Sequence, residues 1–234
     1  AKYKNKVNRT YSKFSIQSFY PTKILGAYGD GGSICTENNN FAIKLRAYAN
    51  HGRINQNVKY EGENSRLDNV QALVLNEKIK NVIKEIEHRR FLAKHYYNLL
   101  KNNNNIIFPF KNRDNNKYYY DVFQNFEVLV NKRNKLKNYL KKNNIETLIQ
   151  WNGIGLNKIK LKKIKTIGDY RNTNSYFIKS LCLPIGPHVT KYQVYTISNI
   201  INEFYKSLGY YFVKIDADIE KLNKNRVNII FTID

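Results

Sequence analysis

Ser18-Phe19-Tyr20-Pro21-Thr22-Lys23-Ile24-Leu25-Gly26 runs through Ala27 and Tyr28 into Gly29-Asp30-Gly31-Gly32. A stretch this rich in glycine can turn tightly and bring its backbone close to a ligand. Two common phosphate patterns are excluded. A Walker A loop ends in Gly-Lys-Ser/Thr, and no lysine stands at that place. A dinucleotide fingerprint needs a third glycine three residues after Gly31, where the chain has Ile34. What remains is Lys23, in mostly apolar company, five residues after Ser18 and beside a flexible turn. A lysine nucleophile needs surroundings that depress its pKa, and a serine or backbone amide nearby can bind phosphate. A pyridoxal phosphate Schiff base has those requirements. A surface lysine beside an ordinary turn has the same local sequence, and the 30 lysines of the chain give that reading weight.

Around this stretch lie 234 residues with a net charge of +22. Apolar residues make up 42% and aromatics 14%, enough for a sizeable core in one large or two small domains. No apolar run approaches the roughly 18 residues of a membrane span. Cys35 and Cys182 match no metal-ligand spacing and no disulfide framework, so no metal site is expected. The start does not read as a signal peptide, and methionine is absent throughout, so a processed, trimmed or partial product is expected. Of the 40 basic residues 30 are lysine, and asparagine reaches 35. Lys, Asn, Ile, Tyr and Phe share A/T-rich codons, and codon drift accounts for this surface without a polyanionic partner. The lysines are scattered and no nucleic-acid motif accompanies them, so nucleic acid is not an expected partner. Small anionic substrates fit the charge.

Periodicity places the elements. A short strand is expected at Phe14–Ser18, another at Ile34–Thr36, and a helix over Asn39–Ala49. Asn50–Gly62 reads as a polar loop. Apolar positions from Leu67 to Leu99 predict one long amphipathic helix or two in tandem over Arg66–Leu100. The run Asn102–Asn105 is a composition break and an expected domain boundary. Val122, Gln124, Phe126, Val128 and Val130 alternate like one face of a strand. Lys132–Asn143 reads as a helix with Leu136 and Leu140 inward, Ile145–Ile149 as a strand, 152–175 as a loop, and Leu181–Ile185 as a strand. Thr190 can cap a helix through Tyr205 that turns Val194, Ile197, Ile201 and Phe204 inward, with Gly209 as its stop. Tyr210–Ile219 and Arg226–Ile233 both alternate, with Leu222–Asn225 as the turn of a β-hairpin. There is no internal repeat.

The opening stretch closely resembles the Schiff-base region of the DegT/DnrJ/StrS-type sugar aminotransferases, whose pattern is Ser-Phe-x-x-x-Lys-x-Leu-Gly followed by Gly-Asp-Gly-Gly. Further pieces resemble that family in the right order. Asn50-His51-Gly52 is similar to its Asn-His-Gly loop. Gly62-Glu63-Asn64-Ser65-Arg66-Leu67-Asp68 with Gln71-Ala72 is similar to its Gly-x-Asn-x-Arg helix start. Ile145-Glu146-Thr147 and Leu183-Pro184 match small-domain landmarks. The resemblance covers about residues 1–205. It implies that Lys23 forms the internal Schiff base with pyridoxal 5'-phosphate and shuttles the proton of transamination, and that Ser18 binds the cofactor phosphate. It implies that Asn64 reaches the phosphate of a neighbouring subunit's cofactor; as a residue, Asn64 also reads as a helix N-cap, and one position can serve both ends. His51 and Trp151 are expected near substrate, with loop packing as the alternative for each. Ile24 departs from the asparagine usual after the lysine, which touches loop bonding more than the Schiff base. In the family a long N-terminal half supplies a ring-stacking aromatic and an Asp that pairs with the ring nitrogen. That Asp lies just upstream of a sequence like Ala1-Lys2-Tyr3-Lys4, so the resemblance implies that this chain is a partial, inactive form.

The C-terminus carries a second resemblance. Phe204-Tyr205-Lys206-Ser207-Leu208-Gly209-Tyr210-Tyr211, then Asn225-Arg226-Val227-Asn228-Ile229, is similar to the end of a POTRA repeat of outer-membrane barrel assembly factors. A join between two reading frames or genes near Asn202–Tyr205 is one account, and a family-specific extension is the other.

The implied fold class is α/β: the C-terminal portion of a fold-type-I pyridoxal phosphate transferase, made of the end of the large domain and a small α+β domain, followed by a β-hairpin. The expected divisions are 1–104, 105–205 and 206–234. The implied reaction moves an amino group from an amino acid donor, with glutamate expected, to a keto group on a nucleotide-linked sugar, in a cytoplasmic homodimer serving amino-sugar or surface-polysaccharide synthesis. The rival readings are a noncatalytic relative that keeps the fold, an envelope assembly module, which the tail alone supports, and a nucleic-acid binder.

Overall fold

Ser15–Ser18 and Gly32–Cys35 pair antiparallel and close the glycine-rich stretch into a long loop, with Ser18 opposite Gly32. They are β3 and β4 of a computed structural model that describes residues 1–7, 11–108, 118–155, 168–209, 215–222 and 226–233. Before them come β1 (Lys2–Tyr3) and β2 (Lys6–Val7); after them come α1 (Asn39–Tyr48), β5 (Arg53–Ile54), β6 (Asn57–Val58), α2 (Asn69–Lys78) and α3 (Val82–Leu100). Then follow β7 (Ile106–Ile107), β8 (Tyr119–Tyr120), β9 (Phe126–Val130), α4 (Arg133–Lys142), α5 (Arg171–Lys179), β10 (Ser180–Leu183), α6 (Lys191–Ser207), β11 (Ile215–Leu222) and β12 (Arg226–Ile233). Among the described residues, three-stranded sheets run in the orders β2-β1-β8 and β10-β9-β7, beside three two-stranded pairs.

The chain divides into two compact units. The first takes Ala1–Ala93, Phe110–Phe126 and Ile185–Val189; the second takes Lys94–Pro109, Glu127–Pro184 and Thr190–Asp234. The division after Ala93 falls inside α3, not at the Asn102–Asn105 run. Those asparagines form a bonded corner rather than a linker. Asn103 and Asn105 are buried, Asn103 donates to the Asn202 side chain at 2.9 Å, and Asn131 donates to the Asn105 side chain at 3.1 Å. Side-chain amides can satisfy buried backbone at such a corner, and composition alone does not distinguish this from a flexible break.

In the second unit burial alternates along β9, where Val128 and Val130 are buried and Glu127 and Leu129 are half-buried. Leu136 and Leu140 of α4 are fully buried, each contributing roughly 1.5–3 kcal/mol. Helix α6 begins as expected. Thr190 accepts from Gln193 N–H at 3.2 Å, and the Gln193 side chain accepts from Thr190 N–H at 2.8 Å, a reciprocal capping box. Val194, Ile197, Ile201, Phe204 and Tyr205 face inward, and Gly209 follows with φ +84°.

Several expectations change. The strand over Ile145–Ile149 reduces to one bridge between Leu148 and Cys182. Ile145 N–H is already spent on Leu140 C=O at 2.9 Å, closing α4 through a left-handed Asn144. The loop expected over 152–175 contains the start of α5, whose first N–H is held by Asp169 at 3.2 Å; residues 156–167 lie outside the described residues. The loop 50–62 includes the small β5–β6 pair, turned by left-handed Asn55. The strand expected from Val122 begins only at Phe126, because Phe123 is left-handed, with φ +47°. The tandem-helix reading matches α2 and α3, joined by one 3₁₀ turn at Ile79–Asn81. Their apolar stripe is only partly covered: Leu75, Leu92, Tyr96 and Leu100 are buried, while Val70, Leu73 and Ile83 are well exposed. In the hairpin, Ile215 pairs with Ile233, Ala217 with Phe231 and Ile219 with Ile229. Its expected first residues 210–214 and most of its turn, 223–225, lie outside the described residues.

Candidate active site

The loop between β3 and β4 is folded back on itself by its own backbone. Phe19 N–H donates to Gly31 C=O and Ala27 N–H to Phe19 C=O, both at 2.8 Å. Lys23 N–H donates to Tyr20 C=O at 2.9 Å, closing a four-residue turn with Pro21 at its second position, where a fixed φ suits the turn. Gly26 is required there: a Cβ on it would sit 2.5 Å from Pro21 O. The turn leaves the Lys23 side chain exposed. Ser18, also exposed, ends β3, and its hydroxyl accepts from Tyr20 N–H at 3.3 Å.

Two side chains from elsewhere in the first unit hold this turn. Lys78 of α2 donates to Gly26 C=O at 2.7 Å and lies over the Tyr28 ring. Gln124 accepts from Ile24 N–H at 2.9 Å and donates to Thr22 C=O at 2.7 Å. Neither residue belongs to the expected set. Gln124 did leave a signal in the sequence, as the one polar member of the Val122–Val130 stripe. Lys78 left none among 30 lysines.

The Asn-His-Gly and Gly-x-Asn segments interlock. Asn50 and Asn64 form an antiparallel bridge, His51 N–H donates to Glu63 C=O at 3.1 Å, and Ser65 N–H donates to Ala49 C=O at 3.1 Å. Arg66 donates to the Asn50 side chain. Gly52, with φ +73°, admits no side chain, since a Cβ would lie 1.7 Å from Tyr60 O. His51 and Asn64 are both exposed on this knot. Asn64 is not a helix N-cap: α2 starts at Asn69, and Asp68 occupies the cap position. Gln71 of α2 ties the knot's helix to the glycine turn by accepting from Tyr28 N–H at 2.8 Å.

Ser18 and Lys23 therefore share one loop, and His51 and Asn64 share one knot. Trp151 belongs to the second unit. It is 80% exposed, has φ +50°, and lines a cavity of about 740 Å³ with Ile154, Tyr170 and Phe177 among others. Elsewhere in that unit, Tyr176 donates to Glu127 at 2.7 Å. Burial first, then this bond and the Glu127 charge, push the Tyr176 phenol up; burial, then Glu127, push the Cys182 thiol up to about 12. Among the described residues there is no cluster able to hold a metal ion, and no helix long and apolar enough to cross a membrane.

An exposed primary amine and a hydroxyl five residues before it on one loop are donors that a phosphorylated aldehyde takes, so the residues present fit pyridoxal phosphate.

The model of the DegT/DnrJ/EryC1/StrS aminotransferase family matches residues 1–202. The Pleiotropic regulatory protein of Geobacillus stearothermophilus is 31% identical over 212 residues, covering 88% of this chain and 55% of that protein. The dTDP-3-amino-3,4,6-trideoxy-alpha-D-glucose transaminase of Streptomyces venezuelae is 29% identical over 206 residues, covering 87% and 53%. The crystal structure of S. venezuelae DesV in complex with a ketimine intermediate superposes with a TM-score of 0.77 at 28% identity, covering 87% of this chain and 54% of that one. The chain thus spans about half the length of the curated relatives it matches. The family match ends at residue 202, so the POTRA-like resemblance of the tail gains no support from it.

Proposed function

This chain belongs to the DegT/DnrJ/EryC1/StrS aminotransferase family, and from that premise we propose that it carries the lysine-bearing part of a pyridoxal phosphate-dependent enzyme that aminates a nucleotide-linked keto-sugar. The observation that supports this most is the clamped turn that holds Lys23 exposed on the loop led by Ser18. When bound, pyridoxal phosphate supplies the electron sink for charge developing on the substrate carbon. The chain's own residues do the rest. Lys23 Nζ would hold the cofactor covalently, and as a free amine it would carry the proton that transamination moves. The Ser18 hydroxyl would donate to the phosphate of the cofactor held by Lys23, and the Asn64 carboxamide to that of a neighbouring subunit. His51, on the same knot as Asn64, orients substrate. Trp151 offers an aromatic face to a sugar or base. The amino donor is an amino acid, glutamate in our reading, and the setting is the cytoplasm.

Lys23→Ala, introduced into the complete gene product, should abolish amino transfer to a nucleotide-linked keto-sugar. Lys23→Arg should fail as well, because a guanidinium stays charged and is no amine nucleophile. Turnover retained in either variant would overturn the assignment.

The same reading makes the enzyme a homodimer, with Asn64 reaching a neighbouring subunit's phosphate. The apolar face of α2 and α3 supports it: Val70, Leu73 and Ile83 are 67%, 65% and 62% exposed, large apolar side chains that a second copy would cover. Sedimentation equilibrium should show two copies, and Leu73→Glu should shift the protein toward one. An active monomer would contradict it.

A further inference from the structure

Gln124 touches the backbone on both sides of Lys23. Its Oε1 accepts from Ile24 N–H at 2.9 Å and its Nε2 donates to Thr22 C=O at 2.7 Å. A primary carboxamide is the side chain suited to this. It offers a donor and an acceptor side by side, matching the carbonyl before a residue and the amide after it. The bonds span 102 and 100 residues of sequence, so the grip is tertiary and not a property of the loop.

The grip has its own foundation. Phe123 is left-handed, with φ +47°, and its N–H is held by the Asp121 side chain at 3.0 Å. This kink takes Gln124 out of the strand that the apolar alternation predicts. The carbonyls of Phe123 and Gln124 both accept from Nη1 of Arg89 at 3.3 Å. Arg89 is buried and paired with Glu85 at 2.8 Å. A non-glycine residue in the left-handed region persists only where its surroundings over-determine it, and such residues gather at functional sites. Here the surroundings are Asp121 on one side and Arg89 on the other.

We propose that Gln124 is a positioning residue for Lys23: by fixing the peptides on either side of it, Gln124 holds the amine in register with a phosphorylated aldehyde bound at Ser18. The proposal rests on the reading of Lys23 as the covalent lysine. An amine held at the right distance from a bound carbonyl gains effective concentration, and that gain is what a loosened backbone forfeits.

The test uses the chain as it stands, with pyridoxal phosphate and, separately, pyridoxal as probes. The lysine amine condenses with the aldehyde, losing water, and borohydride delivers a hydride that fixes the adduct as a secondary amine. Peptide mass spectrometry then gives the share of label on Lys23 among all lysines. In the unaltered chain, Lys23 should outcompete the other lysines for pyridoxal phosphate, and by more than it does for pyridoxal. Gln124→Ala should reduce that preference about ten-fold. Gln124→Glu keeps the acceptor for Ile24 N–H and loses the donor to Thr22 C=O, so it should restore part of the preference, to within about three-fold. Circular dichroism should be the same for all three, with amide exchange at Ile24 faster in Gln124→Ala alone. If Lys23 keeps its preference in both variants, the positioning role is wrong while the Lys23 reading stands. If the unaltered chain shows no preference at Lys23, the Lys23 reading fails and the proposal with it. If Gln124→Ala does not fold, Gln124→Glu decides: an undiminished preference at Lys23 overturns the proposal, and a partial loss supports it.

Discussion

Replacing Arg89 with methionine should cost about 2–3 kcal/mol of unfolding free energy, less than the roughly 3–5 kcal/mol of a fully buried ion pair because Glu85 keeps some contact with water. The magnitude follows from what the guanidinium holds. The Arg89 side chain is 7% exposed and that of Glu85 22%. Nε and Nη2 meet the same carboxylate oxygen at 2.9 and 2.8 Å, short, charge-assisted contacts. Nη1 reaches the carbonyls of Phe123 and Gln124 at 3.3 Å and of Ile185 at 3.5 Å. These lie beyond the favourable range, so each is worth roughly 0.5 kcal/mol at most. Most of the loss is therefore the Glu85 carboxylate left without its partner. Methionine keeps the aliphatic stem, so little packing is lost. Urea unfolding followed by far-ultraviolet circular dichroism measures the change. Glu85→Gln combined with Arg89→Met removes both charges and should recover part of the loss, which a double-mutant cycle reports as coupling. A cost below about 1 kcal/mol for Arg89→Met, the size of an exposed pair, would refute the reasoning.

Three further outcomes are expected. Gly52→Ala places a methyl group 1.7 Å from Tyr60 O at φ +73°, so it should destabilise by roughly 3 kcal/mol or more and speed amide exchange at His51; a neutral change would mean that the Asn50–Asn64 knot is wrongly drawn. Ellman's reagent should titrate exposed Cys35 quickly and buried Cys182 only on unfolding. Because folding raises the Cys182 thiol from 9.0 to about 12, the protonated form is the one the fold favours. That stabilisation is complete below pH 9 and disappears as pH rises to about 12; Cys182→Ala should remove this component of the alkaline loss, and an unchanged pH profile would count against it.

Much of this arrangement is local and therefore written in the sequence. Thr190 with Gln193, followed by Val194, Ile197 and Ile201, contains both the cap and the buried face of α6. Leu136 and Leu140 mark the inner face of α4 in the same way. Lys23, Ser18 and the glycines sit within one loop, so their order along the chain already groups them. The tertiary structure decided what depends on partners far away. The Asn102–Asn105 run is a buried corner because Asn202 and Asn131 meet it, and no count of asparagines reveals that. Ile145–Ile149 pairs only through Leu148 because the end of α4 takes the Ile145 N–H first. Gln124 leaves its strand pattern for the Lys23 turn because Phe123 adopts a left-handed backbone under the hold of Asp121 and Arg89. Lys23 is thus singled out by its neighbours in sequence, while the peptides on either side of it are held by hydrogen bonds that close loops of about a hundred residues, whose entropy cost only the assembled fold repays.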